Sequence, residues 1–267
     1  TTSTFRWKIS NEYINANYLS CINKMILIHD DMDDFTKHIK NLKISITDNN
    51  NINLELINLS GNGICMLNKL LEFKLENHKT RVPFLLCDTS CKNVILYAEF
   101  SGITSSVELQ KFRNVDHQEL AMEANEYVFN DKIENISGTV KGLLCSFKPS
   151  NAHLHNSLQK FDNELWKMTV TKENNIIDTL NKKYSHDPYN FSHEPLYLSE
   201  YCQKLLEHQP SGHKTFSNVS FNVTSRVNGL TTVIALNYYV MNCTNGIIEK
   251  QYTHNEVQED DEFFMME

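Results

Sequence analysis

Few residues of this chain have the types and spacing that metal binding requires. His153 and His155 lie two residues apart at the start of a predicted helix, so they point to different faces of it. Zinc ligands must converge on one point, and this pair therefore predicts no metal site. The aspartate-rich stretch 29–34 lacks the glycine and the closing glutamate of an EF-hand, which favours a solvated loop over a calcium site.

Residues suited to nucleophilic or nucleotide chemistry are equally sparse. No serine stands in a Gly-x-Ser-x-Gly turn, and Gly61-Asn62-Gly63 is too short to cradle phosphates. The seven cysteines contain no Cys-x-x-Cys pair, which is typical of free thiols in a reducing compartment. The sequence therefore predicts a non-enzymatic protein without metal or cofactor, and a hydrolase stays a remote alternative.

Length and net charge limit the number of domains and the kinds of partner that the chain can have. The 267 residues suffice for one large or two moderate domains. A formal net charge of -8 means that any contact with DNA must be local. No apolar run approaches the roughly 18 to 20 residues of a membrane span, so we expect no membrane partner.

The elements that position these residues follow from hydrophobic spacing. Apolar residues at helical spacing predict four helices, over 12–26, 60–73, 150–161 and 195–208. Alternation predicts strands or hairpins at 5–9, 42–56, 81–100, 143–147, 165–180, 216–223, 232–240 and 247–252. Each half of the chain thus holds two helices set between strands, at a period of roughly 140 residues. This repeat predicts a first domain over 1–103, a connector over 104–137, a second domain over 138–255 and an acidic tail over 256–267.

The repeated order of strand, helix and hairpin resembles the DNA sliding clamps, the family of proliferating cell nuclear antigen and of the heterotrimeric checkpoint clamp. Three stretches carry the likeness: Asn53–Phe100, Leu143–Leu180 and Tyr197–Tyr252. The resemblance implies an α+β DNA-clamp fold, in which two similar domains place antiparallel sheets outside and short helices on an inner concave face.

The same resemblance implies a function and partners. The chain would be a non-enzymatic subunit of a ring-shaped clamp in the nucleus, which encircles DNA and recruits proteins in the DNA damage checkpoint and repair. Its partners would be two other clamp subunits in a hetero-oligomer, a clamp-loader ATPase and double-stranded DNA bound without sequence preference.

The resemblance also assigns site residues. Lysines on inner helices of a clamp meet phosphates without reading bases. The lysines in or beside the four predicted helices are Lys24, Lys69, Lys74, Lys160 and Lys204. The alternative is ordinary helix solubility, because nearby glutamates leave the helical faces close to neutral. Partner proteins would dock on the connector at Val107, Leu109 and Phe112, for which an ordinary linker is the alternative.

A second hypothesis accepts the predicted strands but not the ring-shaped assembly. In it, the chain is a β-rich adaptor subunit of another nuclear assembly, for example a kinetochore complex, that never encircles DNA. The near-neutral helical faces favour this adaptor, whereas the internal repeat favours the clamp.

Overall fold

The computed structural model describes residues 4–9, 21–28, 41–47, 53–70, 79–82, 87–88, 95–101, 106–112, 118–150, 166–180, 196–205, 211–244 and 247–252. Within these ranges the chain forms strands in three antiparallel sheets and one α-helix. In that part of the chain, no helix has the length and apolar character needed to cross a membrane.

In chain order the elements are β1 (Thr4–Ile9), β2 (Cys21–Ile28), β3 (Asn41–Thr47), β4 (Asn53–Ser60), α1 (Gly61–Leu70), β5 (Lys79–Val82), β6 (Cys87–Asp88), β7 (Ile95–Ser101), β8 (Ser106–Phe112), β9 (Gln118–Phe129), β10 (Lys132–Pro149), β11 (Trp166–Lys172), β12 (Asn175–Leu180), β13 (Leu196–Glu200), β14 (Lys214–Ser225), β15 (Gly229–Thr244) and β16 (Ile247–Tyr252).

Two smaller sheets are built from the first part of the chain. One has the strand order β1-β7-β3-β4, and in the other β2 pairs with β5, β6 and β8. The predicted hairpin at 42–56 is confirmed, with Leu42 opposite Leu59 and Ile46 opposite Leu54. The predicted hairpin at 81–100 is wrong, because β5 pairs with β2 while β7 pairs with β1 and β3.

Residues 118–252 form an eight-stranded sheet that folds into two layers, and β10 belongs to both. Residues 132–140 pair with β14, and residues 142–149 pair with β15. The register shifts twice between Ile133 and Gly138, and Asn135 has a positive φ of 61°. Such irregularities bend a strand and let it pass from one layer to the other.

The inner faces of the two layers meet in an aromatic core. Phe221 of β14 lies 5.9 Å from Tyr127 and 6.4 Å from Phe129 of β9, measured between ring centroids. Trp166 lies 4.4 Å from Tyr197 and 6.1 Å from Phe147. Because β9 and β14 are far apart in the order of the sheet, these contacts close it into a sandwich.

The outer face of the β10–β15–β9 layer is also buried, because α1 packs on it. Ser146 donates from Oγ to Met66 Sδ at 3.3 Å, and Asn62 donates from Nδ2 to Thr232 Oγ1 at 3.4 Å. Neighbouring Leu144 and Ile234 have no exposed surface. Burial on both faces explains why β10 and β15 contain unbroken apolar runs in place of simple alternation.

The expected α+β clamp fold, with four short helices on one concave face, is wrong. Only the helix expected over 60–73 is confirmed, as α1, and the one expected over 150–161 lies outside the described residues. Residues 21–26 of the helix expected over 12–26 belong to β2, and residues 196–200 of the helix expected over 195–208 form β13. Their apolar residues fit both periods, and pairing with β8 and β10 favours the strand.

The domain boundaries stay a prediction. Within the expected connector, 104–137, the structure places β8, β9 and the first residues of β10, each paired in a sheet. The expected tail, 256–267, lies outside the described residues.

Candidate functional site

Glu126 of β9 joins α1 to the sandwich. Its carboxylate accepts hydrogen bonds from the backbone N–H of Ser60 at 2.6 Å and from Ser60 Oγ at 2.5 Å. Ser60 Oγ in turn accepts a hydrogen bond from the N–H of Gly63 at 3.0 Å, which makes Ser60 the N-cap of α1. A Cβ on Gly63 would lie 2.9 Å from Glu126 Oε1, so a larger residue there would require the Glu126 carboxylate to shift. A carboxylate at a helix N-terminus also interacts favourably with the helix dipole.

Lys141 lies in β10, in the β10–β15–β9 layer, and its side chain has no exposed surface. It is the extra residue in a β-bulge, since Val140 pairs with Asn237 and Gly142 with Leu236. Its Nζ donates to the carbonyl of Lys204 at 3.0 Å and to Met122 Sδ at 3.6 Å. A lysine so placed contributes to the packing of the layer, and it is not available to a ligand in solvent.

The Glu123 cluster comprises Glu123, Asn125, Tyr239 and Lys250. Lys250 Nζ forms an ion pair with Glu123 Oε2 and lies 4.4 Å from the ring centroid of Tyr239. Asn125 donates from Nδ2 to Glu123 Oε1 at 3.0 Å. The Glu123 side chain is 3% exposed and that of Lys250 is 9% exposed. The cluster therefore brings an amine and a carboxylate together with little exposed surface, beside the half-buried carboxamide of Asn125.

The outer edge of β12 has its backbone groups occupied by side chains. Ile177 is the bulged residue of β12, and its carbonyl accepts a hydrogen bond from Lys214 Nζ at 2.7 Å. The N–H of Thr179 donates to Asp178 Oδ1 at 2.7 Å, and Tyr201 donates from its hydroxyl to Asp178 Oδ2. Burial first, and then the Asp178 carboxylate, raise the pKa of Tyr201 far above its ordinary value, so its hydroxyl stays a donor. A bulge and side-chain caps on an edge oppose the addition of another strand.

Large apolar side chains remain exposed beside the part of the sheet that α1 covers. Val128 of β9 is 50% exposed and Leu230 of β15 is 42% exposed. Val128 faces Thr232, so strand alternation places both on the outer face that carries α1. Ile176, at the start of β12, is 65% exposed. These positions are candidates for contacts with another protein.

Few residues suited to metal binding or nucleophilic chemistry occur in the part of the chain that the structure describes. Among the residues that the structure describes, no group of three or more His, Cys, Asp or Glu side chains could hold an ion. The free thiol of Cys145 is buried, and burial raises its pKa well above its ordinary value, so it is a poor nucleophile.

The three predicted lysines that the structure describes lie in different parts of the fold. Lys24 lies in β2 opposite Gln110, Lys69 is buried in α1, and Lys204 is exposed after β13. Lys74 and Lys160 lie outside the described residues. Sequence reasoning missed Lys141 and Lys250 because it selected lysines on helices. A lysine within an apolar strand, as in Val140-Lys141-Gly142-Leu143, is the signal that could have found Lys141.

The predicted docking residues lie in a paired strand. Val107, Leu109 and Phe112 belong to β8, which pairs with β2 along its length. This pairing occupies one backbone edge of β8. A docking role for these residues stays a prediction.

Neither a protein-family model nor a curated protein sequence matches the chain. Solved structures do match over nearly its whole length. PBCV-1 VP54, in the crystal structure fitted into a reconstruction of the virophage Sputnik, is 10% identical with a TM-score of 0.62, and the match covers 93% of this chain and 92% of VP54. The quasi-atomic model of the PBCV-1 virus capsid gives 10% identity and a TM-score of 0.56, covering 94% and 96% of the two chains. The major capsid protein P2 of bacteriophage PM2 gives 10% identity and a TM-score of 0.51, covering 92% and 100%.

These matches overturn the sliding-clamp interpretation. The partners expected from that interpretation are therefore wrong: the other clamp subunits, the clamp-loader ATPase and double-stranded DNA. The alternative of a nuclear adaptor subunit is wrong as well. The nuclear location stays a prediction. Antiparallel sheets closed into a sandwich, with little helix, are the architecture of jelly rolls. The chain therefore has the jelly-roll type of fold found in viral major capsid proteins.

Proposed function

We propose that this chain is a structural subunit of a viral capsid, which assembles with other capsid subunits. The observation that carries the proposal is the extent of the fold likeness. Capsid proteins of PBCV-1 and of bacteriophage PM2 match more than nine-tenths of this chain and of their own length. Likeness over whole chains supports a shared role better than likeness of one module.

In this role the chain acts through its shape and surfaces, and it does not turn over a substrate. Burial on both faces of β10 and β15, with α1 on the outer side, makes a stiff block. A shell needs such blocks, because a subunit that deforms would lose the geometry of its contacts with neighbours.

The edge of β12 and the exposed apolar side chains indicate how neighbouring subunits contact one another. Lys214 occupies the carbonyl of Ile177 and Asp178 occupies the N–H of Thr179, which opposes strand addition between copies at the edge of β12. Contacts are then made through side chains, and the exposed Val128, Leu230 and Ile176 are available for them.

The experiment is a concentration series on the purified full chain. Mass photometry and sedimentation velocity measure the masses of its complexes, and negative-stain electron microscopy shows their form. The proposal predicts a discrete oligomer at low concentration and regular sheets or shells at high concentration. A monomer at every concentration, or only irregular aggregates, would contradict it.

A further inference from the structure

Two Asn-x-Ser triplets lie side by side on paired strands. Asn135-Ile136-Ser137 belongs to β10 and Asn218-Val219-Ser220 belongs to β14, and Ile136 is directly opposite Val219. An asparagine followed two residues later by serine or threonine, with no proline between them, is the acceptor motif for N-linked sugars. The motif is short enough to arise by chance, so its structural setting decides whether it is a site.

Register shifts on both sides of the pair between residues 136 and 219 create two β-bulges, one in each strand. In β10, residues 134 and 135 together stand opposite Ser220. In β14, residues 217 and 218 together stand opposite Ser137, and the N–H of Asn218 donates to Ser137 Oγ at 3.0 Å. Each bulge therefore places the asparagine of one triplet beside the serine of the other. A bulge also re-aims the side chains that it carries.

Both asparagines are exposed and have a left-handed backbone, with φ of 61° at Asn135 and 52° at Asn218. Asparagine tolerates this conformation better than most residues do, which explains its presence in the bulges. The conformation does not require a serine two positions later: Asn174 has a φ of 67°, and Ile176 follows it at that distance. The serines of the two bulges therefore need another explanation.

The other triplets in the described part of the chain lack this setting. Asn222 is half-buried, and its Nδ2 donates to Thr171 Oγ1 at 2.9 Å. Asn58 is exposed, but the hydroxyl of Ser60 in its triplet is engaged as the N-cap of α1. Asn242 lies where β15 pairs with both β9 and β16. Exposed asparagines in bulges are thus specific to the two paired triplets.

We propose that Asn135 and Asn218 form a paired acceptor site for N-linked sugars. The donor is a sugar whose anomeric carbon carries a phosphate leaving group, on a nucleotide or a lipid carrier. A bond forms between Nδ2 of the asparagine and the anomeric carbon, and the bond between that carbon and the phosphate oxygen breaks. The carrier leaves with the electron pair of the broken bond, and one proton passes from Nδ2 to the transferase that catalyses the step. No atom is oxidised or reduced.

The site does not depend on the proposed capsid role, because it needs only the exposed bulges. If the chain assembles, sugars would cover the surface over the two bulges and keep neighbouring subunits away from it. Subunit contacts would then be made elsewhere, for example at Val128 and Leu230.

The test treats the purified, folded full chain in two reactions. One contains a lipid-linked oligosaccharide with an oligosaccharyltransferase, and the other contains a nucleotide sugar with a soluble N-glycosyltransferase that recognises Asn-x-Ser. Peptide mapping by mass spectrometry locates each added sugar. We expect sugar on both Asn135 and Asn218, and none on Asn222, in at least one reaction. The reaction that succeeds identifies the carrier.

Variants of the serines separate the motif from the surface around it. Ser220→Ala should abolish the sugar on Asn218 and keep that on Asn135, whereas Ser137→Thr retains a hydroxyl and should keep both. Ser217→Ala removes an exposed hydroxyl of the same bulge outside the motif, so both sugars should remain.

The absence of sugar from either asparagine of the folded wild-type chain in both reactions would overturn the proposal. Modification of Asn222 to the same extent would overturn it as well, because the bulges would then have no role. Both results come from the wild-type chain, so they decide the question even if a serine variant fails to fold.

Discussion

At the scale of single residues, the structure depends on buried polar groups whose partners come from distant parts of the chain. Glu126 binds Ser60, which lies 66 positions earlier, and Lys141 binds the carbonyl of Lys204. Glu126 lies in β9, within the segment that the sequence indicated as a connector, and Lys141 lies before the strand predicted over 143–147. Neither strand position nor the partner of each polar group followed from the local pattern, because both depend on the tertiary fold. For this reason, the site could not be predicted from the sequence.

Replacement of Glu126 tests the contact between α1 and the sandwich. Glu126→Ala removes the acceptor for both hydrogen bonds of Ser60 and leaves its N–H unpaired. We expect a loss of about 1–3 kcal/mol in the free energy of unfolding, measured by urea denaturation. Glu134→Ala is the matched control, since Glu134 forms only an exposed ion pair with Lys132 and should change stability by about 0–1 kcal/mol. Equal losses of unfolding free energy in Glu126→Ala and Glu134→Ala would show that the Glu126–Ser60 contact does not stabilise the fold.

The raised pKa of Tyr201 makes the free energy of unfolding depend on pH in the alkaline range. Its pKa is raised in the folded chain, so the unfolded chain loses the proton first, near the ordinary tyrosine pKa of about 10. Above that pH the folded state binds more protons than the unfolded state, and the free energy of unfolding falls as pH rises. Burial raises the pKa values of Cys145, Tyr197 and Tyr238 as well, so they contribute with the same sign.

We expect Tyr201→Phe to lose stability less steeply between pH 9 and pH 11 than the wild type, measured by thermal unfolding at each pH. A fall of the same slope in both proteins would show that Tyr201 titrates alike in the folded and unfolded states.

At the scale of elements, hydrophobic spacing predicted the elements with the least ambiguous patterns. The β3–β4, β11–β12 and β15–β16 hairpins and helix α1 lie where alternation, turn residues or an N-cap indicated them. β2 and β13 were predicted as helices because Ile22, Met25 and Ile26, or Leu198 and Leu205, fit a helical period. Strand pairing is a long-range interaction, and it overrides such short patterns.

The edge of β12 offers a prediction at this scale. Lys214→Ala frees the carbonyl of Ile177, and Asp178→Ala frees the N–H of Thr179. Both variants should aggregate faster than the wild type on warming, measured by light scattering and thioflavin fluorescence, because an open edge accepts strands from other molecules. Lys172→Ala changes an exposed lysine of the neighbouring strand and should behave as the wild type does. No difference among the three variants would show that the caps do not protect the edge.

At the scale of the whole molecule, the sequence could not distinguish a clamp from a jelly roll. Both contain antiparallel strands in two similar sets, and local patterns do not reveal how distant strands are ordered. In this chain the bend of β10 coincides with register shifts between Ile133 and Gly138, and a Cβ on Gly138 would lie 2.8 Å from Asn237 Oδ1. A single glycine in a strand is too weak a signal to predict such a bend.

The exposed apolar residues predict how assembly responds to charge. Changing Val128 and Leu230 together to lysine places two charges on the outer face of the sandwich. We expect self-association, measured by sedimentation velocity, to weaken by about tenfold or more, which corresponds to about 1.4 kcal/mol. Changing the exposed polar residues Thr215 and Thr224 to lysine adds the same charge and serves as the control. Equal weakening in both double variants would indicate an effect of net charge and not of this surface.

Electron cryomicroscopy of the assembled full chain tests the central claim most directly. The account predicts a regular shell or lattice in which each subunit is an antiparallel sandwich built from β9 to β16, with α1 packed on the outer face of the β10–β15–β9 layer. A particle whose subunits have another fold, or a preparation that never forms a regular particle, would contradict it.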